Sequence, residues 1–173
     1  MPNFMTYEFI SMIADISLAL SFIAALVFGI VQFRQATQDR RERLTMEALR
    51  NFQTREFAEL TGQLSYHKAL SGFKEFEQLS LEQQAKFIQF GQEMEQLGIL
   101  VAEGLLDIDL VDKTLGSLVS NSWQKYRKTF EDIRAKHSDP FLGEYFQWLA
   151  EYISDRMQKN SRKPFYQTNR HGE

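Results

Sequence analysis

The 173-residue sequence has no cysteine, which excludes disulfides and thiolate metal sites and agrees with a reducing compartment. It has only three prolines, Pro2, Pro140 and Pro164, so almost nothing obliges a helix to stop. The three histidines, His67, His137 and His171, lie too far apart for HExxH or any paired ligand spacing. Basic residues are missing before position 34. All 20 Lys and Arg lie at position 34 or beyond, against 21 acids in the same stretch, a near-neutral balance that argues against a dedicated nucleic-acid binder. GxSxG, GxGxxG and P-loop signatures are absent too, so no cofactor is implied and no enzyme is expected.

Charge is also missing from Ile16 to Phe33, ISLALSFIAALVFGIVQF. As a helix these residues would measure about 27 Å, close to the roughly 30 Å hydrocarbon core of a bilayer. The run reads as a transmembrane helix, with the lipid bilayer as its partner. Glu8 and Asp15 precede it, whereas Arg34, Arg40, Arg41 and Arg43 follow, a bias that puts the N-terminus outside and the C-terminal domain in the cytoplasm. Those four arginines are the candidate headgroup contacts. A cleaved signal peptide fits poorly, because no basic n-region precedes the run and no cleavage site ends it. Within the span, Ser17, Ser21, Ala25 and Gly29 recur every four residues and mark a candidate contact face. Small side chains let two helix backbones approach closely in lipid, so a homo-oligomer through the span is one expectation.

The remainder reads as all-α. Residues 34–60 lack Gly and Pro and should continue the span as a basic helical stalk, with a bend near Thr61-Gly62. Over 34–55 six arginines face three acids, whereas 75–112 carries nine acids against Lys86 alone, so the two stretches should steer one another or the acidic one should meet a basic partner protein. Residues 61–158 are expected to form a helical bundle. Ser80 and Gln83 give a capping box before the apolar series Phe87, Phe90, Met94, Leu97 and Val101. Gly91, Gly98 and Ala102 offer a face for close packing, and Gly104 suits the helix exit.

Asp107, Asp109 and Asp112 do not make an EF-hand, because Asp112 stands where that loop needs Gly and Leu118 where it needs Glu. Asp109 is instead expected to cap a helix from Leu110 to about Lys136, on which Trp123 and Arg127 are spaced to stack. Asp139-Pro140 should start a last helix buried through Phe141, Tyr145, Trp148, Leu149, Tyr152 and Ile153. Residues 159–173 lose apolar periodicity and read as a flexible basic tail.

The span leading into FRQATQDRRER, the segment EQLGILVAEGLLDIDLVDKTL, the SWQKYR helix and DPFLGEYFQWLAEY together resemble an uncharacterised bacterial and phage family of small single-span membrane proteins. The family is known only as a domain of unknown function with a helical cytoplasmic domain. The resemblance covers most of the chain and implies the bacterial inner membrane, but no activity. The function expected is a membrane-anchored helical interaction module with an unknown protein partner and no nucleic acid. The alternative is a small membrane-acting effector of toxin or phage-defence type, working through an oligomerised span.

Overall fold

A computed structural model describes residues 4–66, 70 and 72–159. His67 lies outside the described residues, as does the expected tail beyond Lys159 with His171. Among the described residues the protein is all-α, with no strand and six helices: α1 Phe4–Asn51, α2 Arg55–Tyr66, α3 Phe73–Glu77, α4 Leu81–Ala102, α5 Ile108–His137 and α6 Glu144–Lys159. The chain divides within α1 into two compact units, Met1–Arg43 and Leu44–Glu173.

In the first unit the large apolar side chains from Phe9 to Phe33 are all exposed. The second unit is a helical bundle. Its contribution from α1 is the last two turns, in which Thr45 and Leu49 are buried and Leu44 and Ala48 pack beside them. The hydroxyl of Thr45 accepts a hydrogen bond from the Asp107 amide at 2.8 Å, which satisfies a backbone donor at the start of α5.

The helix expected over 34–60 is in fact two helices. It breaks at Phe52–Thr54, where the Phe52 and Gln53 amides bond to Leu49 O and Arg50 O in tight turns. Thr54 then caps α2, its hydroxyl accepting from the Phe57 amide at 3.2 Å, while the Phe52 and Phe57 rings meet edge to face at 5.0 Å. The bend is thus at 52–54, and Thr61 and Gly62 lie inside α2.

The end of α2 is held from α5. Leu64 O accepts from both Tyr126 Oη and Lys125 Nζ, each at 2.8 Å, so an orphan carbonyl of the last helical turn is doubly satisfied. Burial raises the Tyr126 phenol from its ordinary value of 10.0 to about 12. Between these values the unfolded chain has released the phenolic proton and the folded chain has kept it, so stability falls as pH rises. The contribution of Tyr126 is complete below pH 10 and lost towards about 12. Denaturant titrations of wild type and Tyr126→Phe across that window should show the steeper decline in wild type. At pH 8 the variant should be weaker by about 1 kcal/mol, the typical value of one hydrogen bond.

α4 starts at the expected capping box: Ser80 Oγ accepts from the Gln83 amide and Gln83 Oε1 from the Ser80 amide. Its buried stripe is Phe87, Phe90, Met94, Leu97 and Val101, as the spacing requires, and Gly104 leaves the helix at φ 68°. α5 begins two residues earlier than expected. Asp107, not Asp109, is the N-cap, because its carboxylate reaches the amides of Asp109 and Leu110. Asp109 and Asp112 instead pair with Arg156 on α6.

The segment opened by Asp139-Pro140 also differs from expectation. Asp139 Oδ1 accepts from the Phe141 amide, but residues 140–143 form a turn and α6 starts only at Glu144. The buried face of the helix also differs from the expected one. Phe146, Leu149, Ala150 and Ile153 are buried, whereas Phe141, Trp148 and Tyr152 are exposed, the last two stacked on each other at 5.4 Å. Trp123 is indeed a core residue, but its cation is Arg134, 5.8 Å from the indole. Arg127 points along its own helix to Glu131.

Candidate functional site

Among the described residues, two regions have the character of a site. The first is the exposed apolar face of α1. Ser17, Ser21, Ala25 and Gly29 all lie exposed on one continuous helix, over about 18 Å of its length. The Ser17 hydroxyl donates to Ile13 O at 2.8 Å and is satisfied within the helix. A Cβ added at Gly29 would meet nothing within 4 Å, so the small-residue face is open. Of the arginines beyond it, Arg34, Arg40 and Arg43 are exposed and Arg41 is partly buried. By length and composition this helix can cross a membrane: its most apolar window has a mean hydropathy of 2.3 with no residue buried.

The second region is a cavity of about 340 Å³ in the bundle, among α3, α4, α5 and the turn before α6. Its walls are built from the bottom up by two glycines and a tertiary cap. Gly143 has a φ of +69°, a conformation that favours glycine, and a Cβ there would come within 2.9 Å of the Phe130 ring. As the residue before α6 it has no side chain to cap the helix. Glu95 of α4 does so instead, its two oxygens accepting from the amides of Tyr145 and Phe146 at 3.3 and 2.9 Å. A carboxylate at the positive end of the helix dipole is well placed, and the cap fixes the turn that closes the cavity. Arg134 holds the same turn from α5, donating to Leu142 O and Gln147 Oε1 at 2.7 Å each.

Phe73, Phe76, Phe87 and Phe130 form one aromatic wall of the cavity, with successive centroids 5.9, 5.3 and 5.4 Å apart. Ile133 and Leu142 complete the apolar lining, and Ile88, Gln92 and His137 stand exposed at its mouth. The His137 ring lies edge-on to Phe73 at 6.1 Å. Sequence reading missed this cavity because its lining comes from four separate segments. The detectable signal was local: Gly91 and Gly143 are glycines beside an aromatic series, and both abut Phe130. Among the described residues no group of His, Asp or Glu is arranged to hold a metal ion.

These features belong to a known sequence family. The family model "Domain of unknown function (DUF4760)" matches residues 12–153, which takes in the whole apolar run from Ile16 to Phe33, α2 to α5 and α6 as far as Ile153. The chain belongs to the DUF4760 family. In this DUF4760 member the matched region therefore includes both the small-residue face and every residue of the cavity lining. No curated protein and no solved structure matches the chain.

Proposed function

We propose that this protein is a membrane-anchored helical interaction module of the bacterial inner membrane, with its N-terminus outside and its bundle in the cytoplasm. The observation that carries the reading is the run from Phe9 to Phe33, in which every large apolar side chain is exposed to a degree that water does not tolerate over such a length. A core helix of a soluble protein would bury that surface. A bilayer covers it, and Arg34, Arg40, Arg41 and Arg43 supply the basic flank that sets direction. The face of Ser17, Ser21, Ala25 and Gly29 is then the place where a second span packs, either another copy or a partner helix. With nine acids against Lys86 over residues 75–112, the bundle offers acidic chemistry to a basic protein partner.

The cysteine-free chain makes the test direct. Asn3→Cys and Ser117→Cys variants are expressed singly, and a membrane-impermeant maleimide is applied to intact cells. Labelling of position 3 alone, with the protein in the membrane fraction resistant to carbonate, is the expected result. Recovery in the soluble fraction, or labelling at 117 alone, would overturn the anchor or its direction. Replacing Ser21 and Ala25 with Leu should reduce span-mediated crosslinked dimers without releasing the protein. If high expression instead depolarises cells and that double variant relieves it, the membrane-acting effector is the correct reading.

A further inference from the structure

We propose that the bundle cavity is a binding site for a small, uncharged amphipathic molecule with a planar aromatic body. The volume of about 340 Å³ is in the range of sites for small organic ligands. The walls are apolar and offer water few partners, so an occupant that displaces that water gains. The shape of the body follows from the aromatic wall. Its Phe rings are spaced 5.3 to 5.9 Å between centroids and tilted to one another, and a further ring inserted beside them can make the same offset and edge contacts.

The chemistry of the polar end follows from what the charged groups nearby already do. Glu95 is spent on two backbone amides, Glu77 is paired with Lys136 at 2.7 Å, and Lys136 Nζ also lies 3.9 Å from the Phe73 ring centroid. Glu95, the acid of the lining, is thus engaged, and its charged neighbours Glu77 and Lys136 offset one another, which disfavours an ionic head. Gln92 and His137 stand at the mouth, and each provides both a donor and an acceptor to a hydroxyl or amide group. A buried aromatic body with one neutral hydrogen-bonding group at the opening is the ligand that satisfies both ends. This site is independent of the membrane reading, because it lies wholly within the second unit.

The test uses the full chain in nanodiscs with selectively labelled Ile and Leu methyl groups, titrated with 1-naphthol, 1-naphthoate and 1-octanol. The expected result is a saturable shift by naphthol of the Ile133 and Leu142 methyls, with Ile153 in the core unmoved. Naphthoate and octanol should each bind at least tenfold more weakly. Gln92→Ala should weaken naphthol binding by about tenfold, the value of one hydrogen bond to a buried ligand. Ile88→Trp, at a residue exposed at the mouth, should abolish the shifts at unchanged melting temperature. Failure of Ile133 and Leu142 to respond, or shifts that persist in Ile88→Trp, would overturn the site. Naphthoate binding as tightly as naphthol would overturn the neutral head, and octanol doing so would overturn the aromatic body.

Discussion

Gly98→Ala is expected to destabilise the bundle by about 3 kcal/mol, at the upper end of what overpacking ordinarily costs. The added Cβ would lie 2.4 Å from Tyr145 O, 2.6 Å from Tyr145 C and 2.9 Å from Tyr145 Cβ. The first two are backbone atoms of α6, so no rotamer change relieves the collision and the helix itself must move. Movement there pulls the Tyr145 and Phe146 amides away from the Glu95 cap and shifts Phe146 in the core. Alanine is favoured over glycine inside a helix by about 1 kcal/mol, which the collision must outweigh. Gly91 supplies the control, because there a Cβ would meet only the tip of the Phe130 ring, at 3.2 Å. Gly91→Ala should therefore be close to neutral. Thermal unfolding of the full chain in nanodiscs, followed by the buried Trp123, separates the two. Equal melting temperatures for the two variants would show that α6 does not press on Gly98.

The contrast between these glycines also illustrates what was legible in the sequence. Gly91 and Gly98 could both be recognised as small residues beside an apolar stripe, but the difference between them is set by α6, far away in the chain. The capping box at Ser80 was legible because both partners lie within one helical turn. The cap at α6 was not, because Glu95 reaches across 50 residues of sequence to Tyr145. Local chemistry also misled, at the stalk as at Asp109 and at Asp139-Pro140. Arg34 to Leu60 contains no Gly or Pro, yet the helix stops at Asn51, because Thr54 offers a cap and the Phe52 and Phe57 rings pack across the turn. The apolar run of α1 was legible in full, since it depends on composition alone, while the cavity depends on four segments meeting and has no signature in any one of them.

Phe146→Ala is expected to cost about 4 kcal/mol, as large-to-small changes at fully buried aromatic positions do. Phe146 is 0% exposed, and its ring centroid lies 6.1 Å from Phe90, 5.3 Å from Trp123 and 5.8 Å from Phe130, each approached edge-on. It is thus the residue through which α6 contacts aromatic side chains of both α4 and α5, and removing it empties the junction of three helices. Trp148→Ala removes a larger side chain, yet Trp148 is 39% exposed and stacks mainly on Tyr152 of its own helix. Its loss should cost about 1 kcal/mol or less, the value of an exposed aromatic pair. Reading α6 as starting at Pro140 would reverse this order, since it places Trp148 and Tyr152 on the core face. The ranking of the two variants in a denaturant titration therefore decides which face of α6 meets the core. A Trp148→Ala loss that equals or exceeds that of Phe146→Ala would place the helix in the other rotation, with Gly143 no longer the residue that Glu95 relieves of its cap.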